Sequence, residues 1–437
     1  MPSALVLYQY FYPDDVVSSV LVTELAEGLA RRGWDVTAMP CNRSWRDAAE
    51  RFPQSETHNG VSIKRVWRPA FPQATGWGRL ANCAWMIGAW SLSCLFASPD
   101  VLIIGTDPVL SAATAIPWKL IKRKTQTVHW CFDLYPEAAV SDGVLKPGLL
   151  LSLLRKLMRT AYRRLDLIVD IGTCMRERLA EYGGPAKMMT LPPWALTEPA
   201  APLPVDAAER QSIFGDAKLA LMYSGSFGRA HSYAELLTIA RAMNGADAHF
   251  AFSIRGNRAD EVRNAVTAED KNISFVPFTS QDRLEARLSA ADIHVVSLRR
   301  EWTGTVVPSK FFGALAAGRP ILFIGDEQSY LARIIREHAV GWVCSPGSEQ
   351  SVARELRSLA ENPSSLGRLR EHCHRVYRDF FSRDLLLDQF DSDLRELSQA
   401  ESNLVTWIQA RETLGSKGSR LWGRRIHRGP SGPRPAK

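Results

Sequence analysis

Cysteine is scarce in this chain: seven residues in 437 (Cys41, Cys83, Cys94, Cys131, Cys174, Cys344, Cys373). None stands in a C-x-x-C pair, and the count is odd. A zinc or redox site and a disulfide framework therefore find no support, and a reducing cytoplasm fits. Cys83 and Cys94 sit among apolar neighbours and read as core fillers. No signal peptide is expected either, because Met1-Pro2-Ser3-Ala4-Leu5 lacks a basic n-region. There is no G-x-S-x-G, no Walker loop and no G-x-G-x-x-G on the first strand, which weighs against hydrolase, P-loop kinase and dinucleotide chemistry. Asp14 and Asp15 have no histidine or third acid at a fixed offset, so no metal set is expected.

Acid is missing from the end of the chain. From Ser416 onward Lys417, Arg420, Arg424, Arg425, Arg428, Arg434 and Lys437 stand without a single Asp or Glu. These residues account for all but one of the net charges of +8. The tail, 416–437, is rich in Gly, Pro and Ser and is expected to be disordered and able to meet an anionic surface. The one long apolar run, Leu80–Ala97, contains Trp85 and Trp90 but leads straight into Pro99-Asp100 and a strand. It reads as a buried or interfacial helix in preference to a spanning one.

What is present is alternation. Strand patterns at Ala4–Tyr8, Val101–Ile104, Thr127–Cys131 and Leu167–Asp170 are separated by helical patterns, among them Leu149–Leu165 with Arg155, Lys156, Arg159, Arg163 and Arg164. A proline-rich stretch, Leu191–Pro204, interrupts the series. Alternation resumes with Leu219–Tyr223, His249–Ile254, Ile273–Val276, Ile293–Leu298 and Ile321–Ile324. The expected fold is α/β, with two doubly wound Rossmann-like domains facing across a cleft: residues 1–195 and 205–375, with a helix at 376–400 returning to the first. Ligands belong beyond the carboxyl ends of the strands, in that cleft.

Two strand-helix junctions of the second domain carry phosphate chemistry. In Tyr223-Ser224-Gly225-Ser226-Phe227-Gly228-Arg229, Gly225 and Gly228 allow close backbone approach around Ser226, and Arg229 offers a fork of donors. In Thr305-Val306-Val307-Pro308-Ser309-Lys310-Phe311-Phe312-Gly313, Ser309 reads as an N-cap. Lys310 then enters the first turn, where a cation costs ~0.3–1 kcal/mol unless an anion joins it. Thr305 and Val306 complete this loop. Arg255, Val276 and Phe278 end neighbouring strands and could line a base pocket. Glu301 precedes the loop and could reach a sugar hydroxyl. In the first domain, Asp133 and Glu137 follow Thr127–Cys131, and Asp14 follows the first strand; these are the acceptor-side candidates. Each also has a plain reading as a strand-end turn, a cap or a surface charge.

The motifs "YFYPDD", "LAEGLARRGWDVT", "FDLYPEAAVSDG", "YSGSFGR" and above all "VVPSKFFGALAAGRPIL" resemble the GT-B glycosyltransferases of family 4, in the branch that builds bacterial capsular, colanic acid and O-antigen polysaccharides. The resemblance covers residues 4 to 395. It implies a nucleotide-sugar donor, best taken as a UDP-sugar, on the second domain and an acceptor on the first. It further implies retention at the anomeric carbon and a hexosyl or N-acetylhexosaminyl group in transfer. No cofactor and no metal are implied, because cationic side chains and a helix dipole neutralise the leaving diphosphate; Arg229, Lys310 and Asp133 are the expected catalytic residues. Many members carry two glutamates eight apart across the motif; here those positions are Thr305 and Gly313, so the usual ribose and sugar contacts must come from elsewhere. Val17, Ser18 and Ser19 stand where a glycine-rich loop is usual. The expected partners are a polyprenyl-linked acceptor and an anionic membrane surface, with no nucleic acid, at the inner face of the plasma membrane. A catalytically inactive binding or scaffold relative and a GT-B-fold nucleotide-sugar epimerase are the alternatives.

Overall fold

A computed structural model describes residues 1–72, 75–183 and 187–399; the basic tail, 416–437, lies outside them. Residues 1–391 hold two sheets. The first has strands β1 (Ser3–Leu7), β2 (Asp35–Ala38), β3 (Ser55–His58), β4 (Val61–Lys64), β5 (Val101–Gly105), β6 (Gln126–Trp130), β7 (Leu167–Asp170) and β8 (Lys187–Thr190) in the order β3-β4-β2-β1-β5-β6-β7-β8. All pairs are parallel except β3 with β4. The second has β9 (Leu219–Ser226), β10 (Ala248–Arg255), β11 (Ile273–Phe275), β12 (Ile293–Ser297), β13 (Ile321–Ile324) and β14 (Gly341–Cys344) in the order β11-β10-β9-β12-β13-β14, all parallel. The central strands read as unbroken apolar runs because helices cover both faces; every residue of β5 and β6 is buried. The chain winds outward one way, then the other. The reversal leaves a crevice between β1 and β5 in the first sheet and between β9 and β12 in the second.

Two crossings tie the domains together. The first is the proline-rich stretch. Arg319, fully buried, donates to the carbonyls of Leu203 (2.9 Å), Ser289 (2.8 Å) and Ala291 (2.8 Å), pinning that stretch to the second domain. Burial and the nearby Arg370 lower its pKa to about 10. The second crossing follows the helix Leu366–Phe380. Arg383 reaches Glu24 of the first domain at 2.8 Å, and Arg32 grips Asp388 at 2.8 Å. Gly28 meets Leu387 so closely that a Cβ would lie 2.6 Å from its Cδ1. Residues 383–391 thus lie against the helix Val17–Arg31.

The apolar run differs from its expected span. The helix is Gly76–Ser93, capped by the Thr75 hydroxyl, and Cys94 is buried just beyond it. Only one face is interior: Met86 and Trp90 are buried while Trp77, Leu80, Trp85 and Leu92 are exposed. Among the described residues no helix is long and apolar enough to cross a membrane.

Candidate functional site

The cleft joins the two crevices. On the second-domain side, β9 runs to Gly225 and Ser226. Gly225 sits at φ +132, a conformation that favours glycine, and a Cβ there would come within 3.3 Å of Lys310 Cε. The loop after β12 leads to the helix Lys310–Ala316. Phe311, Phe312 and Leu315 are buried and fix that helix on the sheet, which in turn fixes Lys310. Its Nζ donates to Tyr223 Oη (2.8 Å) and to the Ser226 carbonyl (3.1 Å) and stands 4.0 Å from the Tyr223 ring centroid. These partners are neutral. Burial lowers the lysine pKa to about 7, since no carboxylate stabilises its charge. His231 lies beside it and is held neutral, at about 3, by burial and then by Lys310. Its Nδ1–H donates to the Ser297 carbonyl at 2.6 Å.

The other donor-side candidates divide. Arg255 stacks on Phe278, guanidinium to ring centroid 4.0 Å, giving a flat cationic platform at the end of β10. Arg229 is half-exposed and spans the cleft to Asp142 at 2.9 Å. Gly228 lies against Asn257. Ser309 occupies the cap position with helical backbone angles, but its hydroxyl makes no capping bond. Thr305 and Val276 do not fit the roles expected of them. Thr305 is fully buried; its hydroxyl donates to the Trp302 carbonyl (2.7 Å) and its carbonyl accepts from Leu134 N–H of the first domain (2.9 Å). Val306 bridges to Thr303. The 303–306 loop is thus a wedge between domains, and at Gly304 a Cβ would meet the Cys174 carbonyl at 2.6 Å. Val276 packs against the small cluster that includes Ala220, Met222 and Ala251, and its backbone continues the pairing to Phe252.

On the first-domain side the chemistry is acidic. Asp133 follows β6, makes no side-chain hydrogen bond, and is pushed up to about 6 by burial. Asp14 accepts from Trp45 N–H (3.0 Å) and Ser44 Oγ (3.3 Å); burial outweighs these bonds and raises it to about 6. Glu137 is held through Oε1, which accepts from Arg155 Nε (3.1 Å) and the Tyr182 hydroxyl, while its buried Oε2 has no partner among the described residues. Glu301 faces Arg299 at 3.6 Å on the exposed loop, and its carbonyl accepts from Ser141 Oγ across the cleft (2.6 Å). Asp107 was missed by the sequence reading. It follows β5 as Asp133 follows the neighbouring β6, so the strand-end rule that picked Asp133 would have found it. Burial and then Asp133 raise it to about 7, and Arg68 opposes the rise. Among the described residues no three of His, Cys, Asp and Glu converge to hold a metal ion.

Residues 18–194 match the family described as glycosyl transferase 4-like domain, and residues 206–376 match glycosyl transferases group 1. The probable glycosyltransferase WbjE of Pseudomonas aeruginosa is 28% identical over 308 residues, covering 69% of this chain and 74% of its own. The putative colanic acid biosynthesis glycosyl transferase WcaI of Escherichia coli K12 is 25% identical over 396 residues, covering 85% of this chain and 94% of its own. Among solved structures, Anabaena HepE in complex with UDP and glucose superposes with a TM-score of 0.63 at 12% identity, over 90% of this chain and 99% of that one. That likeness is one of fold.

Proposed function

The chain belongs to the GT-B glycosyltransferases of family 4, and from that premise we propose that it moves a hexosyl or N-acetylhexosaminyl group from a UDP-sugar to a lipid-linked acceptor, with retention at the anomeric carbon, in bacterial surface polysaccharide synthesis. The observation that carries this reading is Lys310. A half-buried ammonium with only neutral partners, at the switch point of a parallel sheet, has the charge and position to hold a leaving diphosphate. The Arg255–Phe278 platform supports a flat base one strand away. WbjE and WcaI support the polysaccharide setting, and the UDP bound by HepE supports the choice of nucleotide.

Cationic side chains stabilise the diphosphate in this proposal, and neither metal nor cofactor is required. Arg229 joins Lys310 once it leaves Asp142. Asp133 serves the acceptor.

The lipid-linked acceptor and a place on the inner face of the plasma membrane draw on the first-domain surface. The helix Leu149–Tyr162 exposes Leu149, Leu150, Leu153 and Leu157 beside Arg155, Lys156 and Arg159. The helix Ala115–Ile121, which touches both this helix and Gly76–Ser93, exposes Leu120 and Ile121. Beyond Gly76–Ser93, Phe96 is 89% exposed. Apolar side chains ringed by cations suit an anionic lipid surface.

The test has two arms. Purified full-length protein is incubated with radiolabelled UDP-glucose, UDP-galactose or UDP-N-acetylglucosamine and a bacterial polyprenyl-lipid extract, with EDTA present. Label entering the organic phase is expected from one donor; activity that returns only with added Mg²⁺ or Mn²⁺ would overturn the cationic donor site. Flotation with anionic vesicles should carry the protein upward at low salt and release it at high salt.

A further inference from the structure

We propose that the cavity between Asp142 of the first domain and Arg229, Arg258 and Arg299 of the second receives the phosphate that joins sugar to lipid in the acceptor. This rests on the glycosyltransferase reading above and adds the chemistry by which its acceptor is held.

Three strand ends supply the cations. Arg229 follows β9, Arg258 follows β10 and Arg299 follows β12, and these strands are neighbours in the order β10-β9-β12. All three arginines therefore come out at the carboxyl edge of the second sheet, at its crevice. With Asp142, Asn257 and Glu261 they line one cavity of about 420 Å³. Their charges converge there. Arg258, through a direct hydrogen bond, and Arg229 and Arg299, through their charge, hold the Glu261 carboxyl below its usual range.

Two of the three guanidiniums have donors to offer. A guanidinium carries five N–H groups in a planar fork. Arg229 gives one hydrogen bond, to Asp142 (2.9 Å). Arg299 makes only long contacts, 3.5 Å to the Arg229 carbonyl and 3.6 Å to Glu301. Arg258 is the fixed member, held by Glu261 (2.8 Å) and the His231 carbonyl (3.0 Å). Three cations thus face two carboxylates along the cavity wall. A phosphate restores the balance, and its oxygens match the arginine forks.

The first-domain side asks for something else. Asp142 Oδ1 is buried and has no hydrogen-bond partner among the described residues. A buried carboxylate oxygen without a donor is unfavourable, and a sugar hydroxyl beside the phosphate supplies one. A ligand that carries both groups is a glycosyl phosphate. The donor diphosphate has its own cation in Lys310, which is not among the residues lining this cavity.

The cavity also lies where a lipid-linked ligand would arrive. Asp142 ends the helix Glu137–Ser141, and the exposed Val144, Leu149 and Leu150 follow it in the chain. The last two begin the helix proposed above to meet the lipid surface. A phosphate held here would have its lipid toward that helix and its sugar toward the crevice.

The experiment titrates UDP-saturated, full-length protein by calorimetry with polyprenyl phosphate in detergent micelles, with polyprenol and with inorganic phosphate. Polyprenyl phosphate should bind despite the UDP, and the other two at least about tenfold more weakly. The double variant Arg258→Gln/Arg299→Gln should bind polyprenyl phosphate about tenfold to a hundredfold more weakly. Its UDP affinity and its flotation with anionic vesicles should match wild type. In the transfer assay its acceptor KM should rise by a similar factor with kcat nearly unchanged. The single variant Arg299→Gln loses only long contacts and gives the same readings in a smaller measure should the double variant fail to fold. Undiminished binding of polyprenyl phosphate by the variants overturns the proposal. Displacement of polyprenyl phosphate by UDP would assign the cavity to the donor, and equal affinity for inorganic phosphate would assign it to a free anion. Loss of flotation would make the arginines readers of phospholipid headgroups. Each of these three also overturns it. If wild type transfers sugar and the variants keep its acceptor KM, this inference alone falls. If wild type binds polyprenyl phosphate through these arginines but transfers from no donor, the glycosyltransferase reading fails instead.

Discussion

The two walls of the cleft share one construction and differ in sign. Each is the carboxyl edge of a parallel sheet at its point of reversal. The second-domain wall presents Lys310, Arg229 and Arg255, while the first presents Asp14, Asp107 and Asp133. In the second wall the charge is not neutralised locally, since Lys310 touches only neutral oxygens, whereas in the first the Arg68 cation partly offsets Asp107. Topology decides where a ligand sits, and the side chains hung on it decide which ligand. A polyanion fits the second wall and a hydroxyl fits the first.

The sharpest break in this comparison is Lys310→Ala. Removing one preorganised charge should lower kcat/KM by ~10²–10³, and UDP should no longer raise Tm. Arg229→Ala should follow in the same direction. If both variants retain wild-type kcat/KM, the cationic wall is not a phosphate site.

Proton linkage comes next. With its pKa near 7 in the free protein, Lys310 must take up a proton to hold a diphosphate at higher pH. UDP affinity should fall by up to about tenfold per pH unit above 7, and calorimetry in buffers of different ionisation enthalpy should register proton uptake. The ligand-free chain should behave oppositely. Its unfolded form binds more protons between about 7 and the usual 10.5 of lysine, so stability should rise with pH through that window. An affinity that is flat with pH would mean that Lys310 is already charged.

A smaller effect tests the bridge between the walls. Asp142 holds Arg229 at 2.9 Å, and the pair is half-exposed on the arginine side. Exposed pairs of this kind contribute ~0.2–1 kcal/mol. Asp142→Asn should therefore strengthen UDP binding only about twofold to fivefold; weaker binding would make Asp142 part of the donor site. The smallest catalytic effect is expected at Glu137. Glu137→Ala leaves Arg155 and Tyr182 unpaired and should cost about 1–3 kcal/mol of stability with kcat/KM nearly unchanged. Lost transfer at unchanged Tm would add Glu137 to the acidic wall.

The second wall was the more legible. "PSK" before an apolar helix and "GSFGR" after a strand are local patterns, and each names its residues at once. Thr305 misled because its place in the motif says nothing of the way its hydroxyl turns back to Trp302. Val276 misled because a residue just past a strand can fall on either face, and this one continues the β-pairing. In the first wall the chemistry is assembled from separate strand ends. Asp107, Asp133 and Arg68 belong to three distant stretches, and only the order of strands brings them together. The short elements β3, β8 and the helix Glu137–Ser141 were invisible for a related reason: pieces of four or five residues carry too little periodicity to read.

The contact between Gly28 and Leu387 bears on how the protein is made. The helix Val17–Arg31 emerges from the ribosome early, whereas the leucine that fills its groove, and the Asp388 that Arg32 grips, are among the last residues of this fold to be translated. Domains fold as the chain appears, amino end first. Throughout synthesis of the second domain the first therefore waits with Gly28 uncovered, and this contact closes only when residues 383–391 arrive.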